Sequence, residues 1–393
     1  MTLPLEGVRV VEYAQYVAGP LCGVLLADLG ADVVKVEPPG GDGYRHVLTI
    51  APGVGRYFVP LNRGKRSVVV DLKTAEGRET SSRLLLGADI ALHNFPRARA
   101  ARFELDWETV HEAHPALVVG RVSSFGERGP LADAPAYDLV AQARAGLLTA
   151  HASPGDEVPV RAGGIPMADL AAGLLLATGV LAALVQARET GEGELVDVSL
   201  LAAALAVQLQ DLVWLDGEAT AARPTDRAEL GARADEIAGG VATNPYYRCF
   251  ETADGFVAVA CLNVGQRRAF LELFGLEDPT IEAPDVAPED ESVFAVKRDL
   301  TSAIASAFEE QTTAAWLERL ESVGVPCARV QQREGVRADP QVLAEGLVGR
   351  VTQPGLGEID LLAPFVRAGR TRPAPRAAPG LGADTESVLA ELA

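Results

Sequence analysis

The side chains that most often reveal an active site are scarce in this chain of 393 residues. Only four are cysteine, and Cys22, Cys249, Cys261 and Cys327 stand too far apart for a zinc site or a redox pair. They read as buried, reduced thiols, which suits a cytoplasmic protein. The five histidines (His46, His93, His111, His114, His151) show no metal-ligand spacing, and His111 with His114 reads as a solvated helix face. Positive charge is in deficit: 35 Lys and Arg against 54 Asp and Glu leave a net charge of −19. That excludes a general nucleic-acid or anionic-membrane partner, which would require a basic face. No basic stretch leads into a long apolar core at the start, so no signal peptide is expected.

Familiar motifs are missing too. The first strand runs into "YAQYVAGP" rather than a Gly-x-Gly-x-x-Gly turn. "LNRGKRS" has a superficial P-loop look, but Arg66 follows Lys65 where Ser or Thr is needed, and Val59 stands where the first glycine belongs. "RVSSFG" lacks the glycine two residues before Ser123 or Ser124 that a nucleophile elbow requires.

What is present is an ordinary globular composition, 48% hydrophobic and 23% charged, patterned as alternating strands and helices. "GVRVVEY", "ADVVKVE", "RSVVVDLK" (66–73), "ADIALHNF" (88–95) and "LVVGRVSSFG" (117–126) read as buried strands. "GPLCGVLLADLG", "TAEGRETSSRLLLG" and "DWETVHEAHP" read as helices between them. The order predicts an α/β doubly wound parallel sheet with right-handed crossovers. Residues 197–224 read as helix and then linker, ending in "TAARPTD". A second unit begins near 225, with a hairpin at "FETADGFVAVA" turning on Asp254-Gly255 and helices at 264–274 and 296–323. The tail "RAAPGLGADTESVLAELA" is loop and then helix, returning to the first unit.

The stretch "RAGGIPMADLAAGLLLATGVLAALVQARETGEG" predicts a helix of roughly six turns, apolar on every face and centrally buried, because its charge-free span is short for a membrane. Asp169 sits at its start. Two readings stand open. As a first-turn acid it balances the orphan N–H groups of the helix, contributing ~0.3–1 kcal/mol. As a reagent it is an oxygen nucleophile, held ionised by those same N–H groups and stripped of water by apolar neighbours.

Eight stretches resemble, in order, the family III CoA-transferases, the group that includes formyl-CoA transferase, carnitine CoA-transferase and the 2-methylacyl-CoA racemases. They are "LPLEGVRVVEYAQYVAGPLCGVLLADLGADVVKVE", "LNRGKRSVVVDLKTAEGRE", "ADIALHNF", "AYDLVAQARAG", "MADLAAG", "ARETGEGELVDVSL", "GVPCARV" and "APGLGADTESVLAEL", and they span essentially the whole chain. The resemblance implies a large Rossmann-like CoA-binding domain from 1–200 and 340–393 and a small α/β domain at 225–330, joined by linkers at 201–224 and 331–339. It also implies an interlocked homodimer. The matching nucleophile is Asp169 in "MADLAAG", which would pass through an aspartyl anhydride and an aspartyl-CoA thioester. Coenzyme A and acyl-CoA would be substrates, with a carboxylic acid as acceptor, no tightly bound cofactor and no metal.

The family's CoA contacts fall on Val17, Ala18, Val70, Asp71, Leu72, Lys73, Asn94, Phe95, Arg102, Tyr137 and Asp138, with Lys73 and Arg102 as the phosphate-binding cations. Gly239-Gly240 matches the place of a glycine-rich lid, where an ordinary loop reads equally well. Pro38-Pro39 stands where some relatives carry an arginine near the adenine, and Arg97 or Arg99 is the candidate replacement. Tyr246 and Tyr247 read either as acyl-site walls or as core. A racemase would need a histidine where Tyr137 stands, with His151 the one substitute; a CoA-binding paralogue without turnover is the non-enzymatic alternative.

Overall fold

Residues 3–150, 164–213, 244–283, 291–369 and 372–392 are described here, from a computed structural model. They fall into two units, one of residues 3–147, 164–213 and 337–392 and one of 148–150 and 244–336.

The first unit is built on strands β1 (Arg9–Glu12), β2 (Asp32–Glu37), β3 (Thr49–Ala51), β4 (Val54–Gly55), β5 (Arg66–Val69), β6 (Ile90–His93), β7 (Val118–Ser123) and β8 (Leu195–Ser199). Its helices are α1 (Ala18–Asp28), α2 (Phe58–Asn62), α3 (Ala75–Leu86), α4 (Arg97–Arg102), α5 (Trp107–Ala113), α6 (Asp138–Arg144), α8 (Met167–Thr190) and α9 (Leu200–Ala206), and the short α7 (Leu147–Ala150) lies at the division between the units. Six strands form one parallel sheet in the order β5-β2-β1-β6-β7-β8. Val10, Val33, Ile90 and Val118 face one apolar cluster with α1 and α8, while Val11, Val34, Ala91 and Val119 face a second. Burial on both faces is why these strands are continuous runs of β-branched residues.

Three expectations need correction. The stretch at 195–199, read as the lead into a helix and linker, is the sixth strand. Its Asp197 disguised it, because that carboxylate accepts Arg121 Nε at 2.7 Å and Ser123 Oγ at 3.1 Å from the neighbouring strand. The helix α8 is apolar all round but not buried all round: Ala168, Ala172, Leu176, Val180, Ala183 and Ala187 form a buried stripe, whereas Leu174, Leu175 and Val185 are exposed. By length and composition it could cross a membrane. Here its inner stripe packs on α1 at Gly173, where a Cβ would lie 2.7 Å from the Ala18 carbonyl oxygen. The thiols are all free, but Cys249 is exposed rather than buried.

The last residues of the chain close the free side of β5. Ser67 N donates to Asp384 Oδ2 at 2.8 Å, and Val69 N to Thr385 Oγ1 at 3.1 Å, so side chains take the bonds a seventh strand would take. The intervening hairpin, Val348–Gln353 with Gly357–Leu362, gave no clear sequence signal.

In the second unit, strands Tyr247–Thr252, Gly255–Ala260 and Cys327–Arg329 form an antiparallel sheet. Its hairpin turns on Ala253-Asp254, with Gly255 already in the second strand. The helical run read at 296–323 is two helices, Glu291–Glu309 and Thr313–Ser322, because Thr312 caps the second through Ala315 N. Tyr246 belongs to this unit's core, donating its hydroxyl to Asp278 Oδ2 at 2.5 Å, while Tyr247 is exposed.

Beneath the C-terminal end of β1 lies a fully buried ion cluster. Glu12 accepts Lys35 Nζ at 3.0 Å and Lys65 Nζ at 2.8 and 2.9 Å. Lys65 also donates to the Pro20 carbonyl at 2.9 Å and to Asn62 Oδ1 at 3.0 Å. The lysine of the P-loop-like stretch therefore serves the fold, tying α1, α2 and β1 together. Removing one partner of such a cluster strands a buried charge. Lys65→Met should cost about 3–5 kcal/mol in urea unfolding, and adding Glu12→Gln to it should recover part of that loss. Additive losses in the double variant would contradict this account of the cluster.

Candidate active site

The helix α8 starts after Pro166, whose side chain cannot cap it. The missing cap comes from another element. Asp138, first residue of α6, accepts the backbone N–H of Ala168 at 2.9 Å and of Asp169 at 3.2 Å on Oδ1, and Gln142 Nε2 at 2.6 Å on its other oxygen. This corrects the expectation for Asp169: the helix N–H groups go to Asp138, and they do not hold Asp169 ionised. Among the described residues the Asp169 carboxylate accepts no hydrogen bond. Burial pushes its pKa up, and the charge of Asp138 adds to the effect, to about 7. The carboxyl is thus poised between its two forms near neutral pH.

A row of tyrosines runs toward this pair. Tyr137, at the start of α6, meets Tyr16 edge-on with ring centroids 6.2 Å apart. Tyr16 meets Tyr44 edge-on at 5.4 Å, and Tyr44 leans on Tyr57 at 5.5 Å. The Tyr44 phenol is pushed up by burial, then by the charges of Asp169, Tyr57, Asp42 and Asp138, so it feels both site carboxylates. Sequence reading found Tyr137 and missed the other three. Tyr16 carried one usable signal, its place directly after the C-terminal end of β1, where open parallel sheets bind ligands. Tyr44 and Tyr57 lie on loops whose path only the fold defines.

The remaining expected residues lie mostly on loops after strand ends. Val17 and Ala18 open α1 and are buried. Val70, Asp71, Leu72 and Lys73 form the turn after β5; Val70 and Leu72 are buried, and Lys73 is exposed, its backbone N–H bonded to Asp71 Oδ1 at 3.1 Å. Asn94 spends its amide on the chain itself: Oδ1 accepts Gln15 N at 3.1 Å and Nδ2 donates to Gln15 O at 2.8 Å. Phe95 packs against His93 and Phe103. Arg99 and Arg102, on α4, are exposed, and Arg97 donates to the Glu127 carbonyl at 3.3 Å.

Because the sheet is parallel, the loops after β1, β5 and β6 share its C-terminal edge. The structure joins Asp138 to Asp169 and brings Tyr137 into the tyrosine row. No hydrogen bond or ion pair links Lys73 or Arg102 to that group among the described residues. Gly239, Gly240 and His151 lie outside the described residues.

Comparison with known proteins is consistent across the chain. The family model described as CoA-transferase family III matches residues 5–385. A succinate–glutarate CoA-transferase of Agrobacterium fabrum is 34% identical, covering 99% of this chain and 96% of its own. The human succinyl-CoA:glutarate CoA-transferase is 31% identical over 99% of this chain and 86% of its own. The crystal structure of a CaiB/BaiF family protein from Brucella suis superposes with a TM-score of 0.79 at 28% identity, covering 100% of both chains.

The raised pKa of Asp169 makes a stability prediction. The folded chain holds this carboxyl as the acid until about pH 7, whereas an unfolded chain ionises it near 3.8. Stability therefore falls as pH rises from about 4 to about 7 and stays lowered above that, by on the order of 4 kcal/mol. Asp169→Asn removes the ionisation. In denaturant unfolding it should be more stable than the parent at about pH 8, with the gap closing near pH 4. A gap independent of pH would count against the half-buried, unbonded state of this side chain.

Proposed function

The chain belongs to CoA-transferase family III and is a transferase enzyme, and on that footing we propose that Asp169 is the nucleophile that moves coenzyme A from an acyl-CoA to a free carboxylic acid. The observation that supports this most is the Asp169 carboxylate itself. It stands at the head of α8 with its capping duty taken by Asp138, so both oxygens are free of hydrogen bonds among the described residues. A carboxylate stripped of donors and water is a stronger nucleophile than a solvated one.

The reaction would run in four exchanges. An Asp169 oxygen attacks the thioester carbonyl, the C–S bond breaks, and CoA leaves as thiolate, giving a mixed anhydride. The thiolate attacks the Asp169 acyl carbon, releasing the donor acid as carboxylate and leaving an Asp169–CoA thioester. The acceptor carboxylate then attacks that thioester, forming a second anhydride and freeing the thiolate. Attack of the thiolate on the acceptor carbonyl yields the new acyl-CoA and restores the Asp169 carboxylate. Protons and charge balance without water or ATP. Water is the hazard, since it would hydrolyse either anhydride; the tyrosine row beside Asp169 suits its exclusion. Asp169 must be ionised to attack, so kcat/KM should rise with pH through about 7.

Coenzyme A is a substrate here, with no resident cofactor required. Its contacts are proposed at Val17, Ala18, Val70, Asp71, Leu72, Lys73, Asn94, Phe95, Arg102, Tyr137 and Asp138, within a large domain of 1–200 and 340–393. The burial of Val17, Ala18, Val70 and Leu72 and the engagement of the Asn94 amide favour backbone contacts at those positions. Lys73 and Arg102 are exposed and able to meet phosphates. The names of the two related transferases favour succinate or glutarate as the acid. A homodimer is proposed as well, since the exposed Leu174, Leu175 and Val185 face of α8 suits burial against a second copy. The four free thiols suit the cytoplasm.

Incubation with succinyl-CoA should give a hydroxylamine-sensitive adduct at Asp169, detected by peptide mass spectrometry. Asp169→Ala should lack the adduct and lose at least about a thousandfold in kcat/KM with glutarate as acceptor. Full turnover by Asp169→Ala would remove this residue from the chemistry. Exchange of the α-proton for deuterium without CoA transfer would point to the racemase branch.

A further inference from the structure

Asp42 takes no part in the exchanges above, yet its side chain works in two directions at once. It is fully buried. Oδ1 accepts the backbone N–H of Tyr44 at 2.9 Å and of Tyr16 at 3.4 Å. Oδ2 lies 2.9 Å from Lys35 Nζ, the lysine that also binds Glu12. Its own backbone N–H donates to Glu37 Oε2 at 2.9 Å, and Glu37 is in turn held by Arg45. One carboxylate thus joins the buried ion cluster to two adjacent members of the tyrosine row.

Those two members need holding. Tyr16 has φ of +70°, a left-handed conformation that costs a non-glycine residue about 1 kcal/mol or more. It is restrained on one side by Asn94, which clamps the Gln15 backbone, and on the other by Asp42. Its ring lies against Gly43, where a Cβ would stand 2.8 Å from Tyr16 Cε1 and 2.9 Å from its hydroxyl oxygen. Tyr44 follows Gly43 in the same 3-10 turn, Gly43–His46, which Asp42 caps.

We propose that Asp42 is a positioning residue: by holding the backbones of Tyr16 and Tyr44 on a carboxylate anchored to Lys35, it seats two neighbouring, partly exposed rings of the row that Tyr137 joins to the start of α6, and so limits the access of water to the half-buried Asp169. The assignment deepens the reading of Asp169 as the nucleophile and rests on it. Asp138 from α6 is the charged group that acts on Asp169, and Tyr44 from the turn feels the charges of both. The charges around Asp42 are those of Lys35, Lys65, Glu12, Glu37 and Arg45.

The test reads the protonation of Asp169 directly. Carbodiimide couples to the protonated carboxyl, so the extent of labelling at Asp169, measured by peptide mass spectrometry from about pH 5 to 9, gives its midpoint without any turnover. Three variants are compared with the parent. Asp42→Ala loses both backbone contacts; its midpoint should fall by about one unit or more, and the rise of kcat/KM with pH should move down with it. Asp42→Asn keeps an oxygen that accepts both N–H groups, and should hold the midpoint within about 0.3 unit. Gly43→Ala displaces the Tyr16 ring and leaves every buried charge in place; its midpoint should fall in the same direction as that of Asp42→Ala.

An unmoved midpoint in folded Asp42→Ala, or a fall in Asp42→Asn as large as in Asp42→Ala, overturns the proposal. Should Asp42→Ala fail to fold, Gly43→Ala decides, and an unmoved midpoint there overturns it equally. Absence of transfer activity in the parent, with the midpoints as expected, would sink the nucleophile reading and leave the seating role of Asp42 standing.

Discussion

A helix of 24 residues that supplies no cap of its own has to borrow one, and the loan from Asp138 arranges the rest of the site. The capping carboxylate satisfies the amides that Asp169 would otherwise attract. It also places a negative charge beside Asp169, which opposes ionisation there. One side chain therefore sets the start of α8, the freedom of the Asp169 oxygens and the acidity of the group. The two acids share one helix end with divided labour: the first is tied by hydrogen bonds, and the second accepts none among the described residues.

The same logic operates a layer below. Parallel strands end in loops whose backbone groups need partners, and here charged side chains with no access to water supply them. Glu12, Lys35 and Lys65 are each completely or almost completely buried, which is tolerable only because every charge has several close partners. Asp42 extends that cluster upward to the tyrosine row. The loops that carry Tyr16 and Tyr44 are thus tied to the interior of the sheet.

Much of this was legible in the residues before the fold was known. The runs of valine and isoleucine marked β1, β2, β5, β6 and β7, because strands buried on both faces cannot alternate. Asp169 stood out as the one acid at the head of an apolar rod, and the ordered motifs identified the family. What escaped notice depended on partners distant in sequence. Asp138 and Ala168 are 30 residues apart, and nothing local links them. β8 hid behind Asp197, whose charge looks like a loop residue until Arg121 is seen across the ladder. The row of Tyr16, Tyr44 and Tyr57 crosses three separate loops, so no window along the chain contains it. The exposed side of α8 was unreadable for a different reason: uniform apolarity has no periodicity to say which stripe faces inward.

The tail that covers β5 has a bearing on how the chain is made. Residues 382–385 hydrogen-bond to Ser67 and Val69, more than 300 positions earlier. A ribosome builds the sheet long before it releases the segment that shields its side. Throughout synthesis the first unit carries an uncovered strand edge, the feature most prone to pair with a neighbouring nascent chain. Protection arrives only once those residues have emerged, so a chain cut short before residue 382 keeps its adhesive border open and also lacks the helix Thr385–Ala390 with its buried Val388.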